Sequence, residues 1–389
     1  MDFQVTKTIG EIRSELAIRI LEAKESGRKV VGHMCSYFPI EMVLAAGAIN
    51  VGLCGTTQDS IAVAERELPA DQCPMVKSTY GRAVGDTCPL FHLADCVVGE
   101  TTCDGRKKMY ELMSRIKPMH VMELPQKPEE QAARDHWVEE VRKLKSFIEE
   151  RLAVRIDDNA LREAIKQTNM ERSILKKIHE CRKNNPPPIM GKDLVGLSTL
   201  FGYTVDRREY AANLRSLLAE LEQHIDNQIH ACEPGRPRVL WTGLGNSLGC
   251  DKVLRLVEEC GAVVVCQEGC GGVTRLDDLI DEEADPIEAI ADRYLKVTCS
   301  CMTPNETRFA QIDRLIPEYG VDGVLDLTWQ SCHTFNIESY RVGELVKSKY
   351  GLPFLHIVTD YSQSDVESLR VRIEAFVEQM MMGKASVVH

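Results

Sequence analysis

Cysteine is the residue type whose number and placement most suggest chemistry in this chain. Fifteen of the 389 residues are cysteine, a smaller share than small disulfide-rich scaffolds carry. We expect a cytoplasmic protein, in which thiols persist as thiols, so the excess favours metal binding or catalysis over disulfides. Thiolates are the ligands that structural zinc and iron–sulfur clusters use.

Two segments concentrate these thiols. Residues 68–111 hold two Cys-Pro pairs, at Cys73 and Cys88, followed by Cys103. Proline beside a cluster-ligating cysteine is familiar from ferredoxins, because its fixed φ and missing N–H shape the loop around the sulfurs. The second segment, TCSCMTPN at 298–305, has two cysteines only two residues apart.

Spacing favours an iron–sulfur cluster over zinc. Structural zinc sites use paired C-x₂₋₄-C knuckles, and Cys266 and Cys270 provide one such spacing without a second. No C-x-x-C motif is present, which disfavours a thiol oxidoreductase. Because free cysteine is often buried core, packing is the expected role of six cysteines. They are Cys96, Cys181, Cys232, Cys250, Cys260 and Cys266.

Short apolar runs predict the strands that must position the thiols. The runs are 29–35, 50–55, 96–101 and 120–125 in the first part of the chain, and 238–243, 262–267, 323–328 and 353–359 in the last. They are unbroken rather than alternating, as strands buried on both faces are, and helical stretches separate them. This alternation predicts an α/β fold with two doubly wound parallel-sheet domains.

Between these sets of strands the pattern becomes helical. Apolar positions recur at i, i+3 and i+4 among charged residues, and NPPP at 185–188 interrupts them. We therefore predict an N-terminal α/β domain at 1–128, a helical connecting segment at 129–235 and a C-terminal α/β domain at 236–389. A last helix is predicted at about 365–381.

Several cysteines follow predicted strands. Cys35, Cys103, Cys270 and Cys332 each come at or just after the end of a run. Ligands of such sheets bind beyond the carboxyl ends of the strands. We therefore expect thiols of both domains to meet in a cleft between them.

Charge and hydropathy exclude other functions. The net charge of −12 disfavours nucleic acid and an anionic membrane surface, because both bind basic proteins. No apolar run approaches the ~18 residues of a membrane span, and the N-terminus predicts an amphipathic helix rather than a signal peptide. The P-loop is absent, and GLGNSLG at 243–249 predicts a tight strand-to-helix turn rather than a nucleotide site.

Seven segments together resemble the 2-hydroxyacyl-CoA dehydratase component family, and most closely its double-cubane branch. The resemblance covers nearly the whole chain. The segments are CSYFPIE at Cys35, AERELPADQCPMVKSTYG around Cys73, DTCPLF at Cys88, VVGETTCDGRKKMYE around Cys103, CSCMTPN at Cys301, SCHTFNIES at Cys332 and TDYSQSD at Asp360.

The resemblance implies two flavodoxin-like domains with an iron–sulfur cluster between them. In the dehydratases a single 4Fe-4S cubane has three cysteine ligands, and the similar positions here are Cys73, Cys103 and Cys332. The double-cubane branch binds an 8Fe-9S cluster with further cysteines. The candidates here are Cys35, Cys88, Cys270 and Cys301, of which three are needed. Cys88 is favoured because DTCP belongs to the cysteine-rich branch, and Cys299 is expected to pack beside Cys301.

The resemblance also implies an activity. The expected function is ATP-dependent, low-potential reduction of small unsaturated molecules by an oxygen-sensitive homodimer. Its electrons would come from a separate ATP-hydrolysing iron–sulfur activator of the actin-like fold, which agrees with the missing ATP motif. Two alternatives stay open, a 2-hydroxyacyl-CoA dehydratase component with a 4Fe-4S cluster and a non-catalytic electron carrier.

Polar residues near the motif cysteines are candidates for supporting roles. Hydrogen bonds to cluster sulfur are expected from groups beside Cys73 and Cys103. These are Lys77, Ser78, Thr102 and Asp104. A coupled reduction also needs a proton carrier within reach of the substrate. The catalytic candidates are Glu41, Glu100, His333 and Tyr361, with His33 a further possibility.

Overall fold

Within the residues that the structure describes, eight strands form two four-stranded sheets. The computed structural model describes residues 10–12, 14–201, 203–244, 247 and 249–387, without the side chains of 196, 198–200 and 384–387. The strands are β1 (Val30–His33), β2 (Ile49–Gly52), β3 (Cys96–Glu100), β4 (Met119–Met122), β5 (Arg238–Gly243), β6 (Val263–Gln267), β7 (Gly323–Trp329) and β8 (Phe354–Thr359). All eight strands predicted from the sequence are confirmed, because unbroken apolar runs mark strands that are buried on both faces.

The two sheets have the same topology. Their strand orders are β2-β1-β3-β4 and β6-β5-β7-β8, and every described pairing is parallel. This is the doubly wound, flavodoxin-like order, so the predicted fold class is confirmed. The strand order reverses between β1 and β3 and again between β5 and β7, and ligands of such folds bind beyond the strand ends at these points.

Helices connect the strands and cover both sheets. In the described residues the α-helices are α1 (Leu16–Glu25), α2 (Ile40–Ala45), α3 (Ile61–Ala64), α4 (Pro74–Val84), α5 (Pro89–Leu93), α6 (Asp104–Met113), α7 (Gln131–Leu152), α8 (Asp158–Glu180), α9 (Gly191–Leu200), α10 (Arg207–Asp226), α11 (Lys252–Glu259), α12 (Pro286–Leu295), α13 (Glu306–Glu318), α14 (His333–Tyr350) and α15 (Val366–Val387). Cys181–Lys183 and Val273–Arg275 form 3₁₀ turns.

The predicted helical segment packs against the first sheet. Trp137 and Val141 of α7 join one hydrophobic core with Val31 and Val98 of the sheet. The opposite face of that sheet is covered by α1 and α6. The second sheet lies between α11 and α15 on one face and α13 and α14 on the other. The three domain boundaries stay a prediction.

Local signals account for several helix ends. Asp157 and Asp206 cap α8 and α10 by accepting backbone N–H bonds. The predicted break at 185–188 lies between α8 and α9, and the predicted last helix is α15. The first nine residues of the predicted N-terminal helix and residues 245, 246 and 248 of the predicted GLGNSLG turn lie outside the described residues. Across the part of the chain that is described, none of the helices is both long enough and apolar enough to span a bilayer.

Candidate metal centre

The loops at the carboxyl ends of both sheets enclose a cavity of about 960 Å³. Thiols dominate the chemistry of its wall. The lining cysteines are Cys35, Cys54, Cys73, Cys103, Cys250, Cys270, Cys299, Cys301 and Cys332. Of the seven cysteines predicted as ligands, all but Cys88 line this cavity.

Three of these thiols stand at the positive ends of helices. Cys73, Cys103 and Cys332 are the N-cap residues of α4, α6 and α14. Pro74 favours the helix start after Cys73, because a proline at the first helical position lacks only an N–H that has no partner there. A helix N-terminus stabilises negative charge and so favours a thiolate. Three helix dipoles therefore support anionic sulfur at this cavity.

These three cysteines also form one group in space. The thiols of Cys73 and Cys332 share a hydrogen bond, which lowers the pKa of Cys73 to about 7 and raises that of Cys332. Cys103 interacts electrostatically with Cys332. Residues from both sheets thus contribute to a single set of three thiols.

A second group contains Cys35, Cys270 and Cys299. The thiol of Cys35 interacts with those of the other two, and burial raises its pKa well above the usual range. Burial likewise raises the pKa of Cys270 to about 11. Cys301 is hydrogen-bonded to Cys299, and its sulfur lies 3.7 Å from the hydroxyl oxygen of Tyr37. Cys299, expected only to pack beside Cys301, therefore belongs with Cys35 and Cys270.

Cys54 and Cys250 line the cavity but were not among the predicted ligands. Their Sγ atoms lie 2.8 Å from the carbonyl oxygen of Met34 and 3.2 Å from that of Ser247, respectively. Both follow a strand end, Cys54 after β2 and Cys250 after the turn beyond β5. The strand-end rule applied to Cys35 would have found them, whereas we had expected Cys250 only to fill core.

Cys88 lies apart from the cavity. It is buried at the N-cap of α5, where its Sγ accepts a hydrogen bond from Phe91 N at 3.5 Å. Its neighbours belong to the hydrophobic core that also contains Met109 and Tyr110 of α6. The structure thus gives Cys88 a capping and packing position and does not bring it to the other predicted ligands.

Arg106 is a cation in the cavity wall that sequence reasoning missed. Its guanidinium donates to Met34 O at 2.7 Å, Met75 Sδ at 3.0 Å and Cys54 Sγ at 3.5 Å. Within the described residues these acceptors are uncharged, so the guanidinium is not neutralised by an ion pair. A buried charge without a counter-charge is costly, and an anionic group in the cavity would offset that cost.

Arg308 ties together the loops that bear the cysteines of the second domain. Its side chain is 1% exposed and forms ion pairs with Glu268 at 3.2 Å and with Glu338. Glu268 precedes the loop of Cys270, and Glu338 lies in the helix that begins after Cys332. Asn305 extends this network by donating to Glu338 at 2.8 Å and to the carbonyl oxygen of Cys299 at 2.9 Å.

The four polar residues predicted to surround the cluster take different positions. Thr102 is buried and lines the cavity, and Asp104 lines it while pairing with Lys107. Lys77 forms an ion pair with Glu65 at 2.7 Å and does not line the cavity. Ser78 Oγ donates to Thr57 O at 2.8 Å, also outside the lining.

The predicted proton carriers are also divided. Glu41 is buried in an ion pair with Arg172 at 2.6 Å; burial raises its pKa, but Arg172 and the neighbouring donors outweigh that effect and lower it. Tyr361 donates to Gly55 O at 3.1 Å behind the cavity. His33 and His333 line the cavity. Glu100 is buried behind the cavity wall without a hydrogen-bond partner for either carboxylate oxygen among the described groups.

The donor set fits an iron–sulfur cluster. Among the described residues, no three His, Cys, Asp or Glu side chains converge closely enough to hold a single metal ion. The thiolates of a cluster bind different irons, so they can stand around a larger space. Two groups of thiols, three helix N-termini and a buried arginine match the size and the negative charge of such a group.

Comparisons with known proteins find relatives that are named as components of dehydratases and of a reductase. The family model described as 2-hydroxyglutaryl-CoA dehydratase, D-component, matches residues 35–380. The protein named "Putative dehydratase subunit YjiM" of Escherichia coli (strain K12) is 39% identical over 95% of this chain and 96% of its own length. The (R)-phenyllactyl-CoA dehydratase beta subunit of Clostridium sporogenes is 23% identical over 92% and 93%. A benzoyl-CoA reductase component of Thauera aromatica is 24% identical over 93% and 91%.

Proposed function

Because the chain belongs to the 2-hydroxyglutaryl-CoA dehydratase D-component family, we propose that it is an iron–sulfur reductase of small unsaturated molecules. The observation that carries this proposal is the presence of two groups of three thiols in one cavity. A plain dehydratase subunit needs only one group. The second group supports the double-cubane 8Fe-9S cluster.

The proposed ligands follow the two groups. Cys73, Cys103 and Cys332 would hold one cubane. Cys35 and Cys270 would hold the second together with Cys299, which interacts with both of them. Cys301 and the thiols of Cys54 and Cys250 would then be neighbours of the cluster rather than ligands.

The protein would supply the setting for low-potential electron transfer. The cluster supplies electrons to the substrate when it is bound. The three helix N-termini and Arg106 stabilise the negative charge of the reduced site, because cluster potential depends on nearby charge and hydrogen bonds. A separate ATP-hydrolysing iron–sulfur activator of the actin-like fold is the proposed electron source, and a cytoplasmic homodimer is the proposed assembly.

Arg106 allows this electrostatic role to be measured. We expect Arg106→Gln to lower the midpoint potential of the bound cluster by on the order of 50–100 mV, because removing a nearby cation disfavours adding an electron. An anaerobic redox titration followed by electron paramagnetic resonance measures the shift. Arg341→Gln is the matched control, because Arg341 also lines the cavity but is half exposed and paired with Glu306. Equal potentials in the wild type and Arg106→Gln would contradict the role.

The activity itself is tested with oxygen-free protein, the activator, ATP and a reductant. We expect ATP-dependent reduction of small molecules that contain a carbon–carbon or nitrogen–nitrogen multiple bond. The names of the relatives favour a second candidate, a 2-hydroxyacyl-CoA dehydratase component with one 4Fe-4S cluster. Dehydration of a 2-hydroxyacyl-CoA without reduction of the small molecules would establish that candidate. Cluster reduction without turnover of either substrate would establish an electron carrier.

A further inference from the structure

Glu100 is a buried acid whose position calls for a functional explanation. It is the last residue of β3, its side chain is fully buried, and no described group hydrogen-bonds to either carboxylate oxygen. Nearly all buried polar groups in proteins have a partner, so an exception needs a reason. The other fully buried acid of this domain, Glu41, illustrates the usual solution, because an arginine, a threonine and a tyrosine satisfy it.

The carboxyl lies directly behind the cavity wall. Glu100 does not line the cavity itself, but it interacts electrostatically with Arg106 and Cys35, which do. Its backbone carbonyl accepts a hydrogen bond of 2.7 Å from the N–H of Thr102, another lining residue. The chain then reaches Cys103 three residues after Glu100. The acid is therefore next to the thiols of both groups and shielded from bulk water.

The environment keeps a proton on this acid at neutral pH. Burial raises the pKa of Glu100 to about 8, although Arg106 opposes the change. The other titratable groups that face it are Cys35 and Tyr110, and burial raises the pKa of each of them. A glutamic acid with a pKa near the working pH can both give and regain a proton.

The alternative proton carriers of the cavity are less suited. Burial lowers the pKa of His33 to about 3, so its ring is neutral and holds no readily released proton. His33 is also stacked on Phe38 with ring centroids 5.0 Å apart. His333 lies at the start of α14 and is partly open to water, which competes with any substrate for its proton. Glu100 is the acid that is at once protonated, buried and adjacent to the cavity.

We propose that Glu100 is the proton reservoir of this cavity, supplying the proton that accompanies each electron from the cluster to the substrate. In each such step the reduced cluster loses one electron, Glu100 loses one proton, and the substrate gains both as one hydrogen atom equivalent. The remaining carboxylate is reprotonated from water before the next step. The inference rests on the proposed reductase function and deepens it.

The test compares cluster-loaded wild type with Glu100→Gln, which keeps the shape and neutral charge of the protonated acid. Turnover with the activator and ATP is measured from pH 6 to pH 9.5, together with the cluster midpoint potential. The wild type should lose activity above about pH 8, where the carboxylate forms, and its potential should fall with rising pH in the same range. Glu100→Gln should be at least tenfold less active below pH 8 and should lose both pH effects.

Asp326→Asn is the matched control. Asp326 is a buried acid of β7 with an unpartnered oxygen, and burial raises its pKa to about 6. We expect this variant to keep both alkaline effects of the wild type. Identical pH profiles in the wild type and Glu100→Gln, at equal iron content, would overturn the inference and leave the reductase function standing. A wild type that binds no iron–sulfur cluster would instead remove the proposed function and this inference together.

Discussion

Replacing Cys332 with serine should remove about half of the bound iron or more, and should abolish ATP-dependent turnover. Cys332 begins α14 and shares a hydrogen bond with Cys73, so it joins the two domains at the first thiol group. Serine keeps the size of the side chain but is a much poorer ligand for iron, which clusters bind through thiolates. We expect activity below about 1% of wild type, since even residues around a metal contribute up to 100-fold. Iron analysis and turnover on anaerobic protein measure the two effects.

Cys88→Ser is the matched control for that experiment. A serine at the N-cap of α5 can accept the backbone hydrogen bond that Cys88 accepts from Phe91. We therefore expect unchanged iron content and unchanged activity. Loss of iron in Cys88→Ser with retention in Cys332→Ser would reverse our assignment and favour the ligand role that the sequence motif predicts for Cys88.

Replacing Arg308 with methionine should destabilise the second domain by roughly 3–5 kcal/mol, because it leaves two buried carboxylates without their cation. Glu268 and Glu338 are 0% and 11% exposed, so water can compensate little. The loops that carry Cys270 and Cys299 would lose their common anchor, and iron content should fall as well. Urea unfolding and iron analysis on the same preparation measure both consequences.

The matched control is Arg314→Met on the same helix. Arg314 is 41% exposed and pairs with Glu318 and Asp277 near the surface. Its loss should cost about 0–1 kcal/mol and should leave iron content unchanged. Similar unfolding midpoints for the two variants would show that Arg308 does not hold the loops together.

The strands and the fold class could be predicted because burial on both faces leaves a direct trace in the sequence. Residues 238–243 and 323–328 are largely apolar, and they form β5 and most of β7. The strand ends then indicated where Cys35, Cys270 and Cys332 would lie. Each of these predictions depends on residues that are close together in the chain.

The remaining features depend on contacts between distant segments. Arg106 and Arg308 look like ordinary helical arginines in the sequence, and only the packing of other loops makes them buried cations. Glu41 and Glu100 are likewise similar by type, yet Arg172 satisfies one and nothing described satisfies the other. Motif reasoning also favoured Cys88 over Cys299, because a Cys-Pro pair is conspicuous while the direction of a thiol is not encoded locally.

The most direct test of the central claim is the amount of iron and acid-labile sulfide per chain in protein purified without oxygen. Two thiol groups in one cavity predict about eight irons per chain, with slightly more sulfide than iron. About four irons would mean a single cubane on Cys73, Cys103 and Cys332 and would favour the dehydratase candidate. Zinc, or no metal after reconstitution with iron and sulfide, would contradict the account.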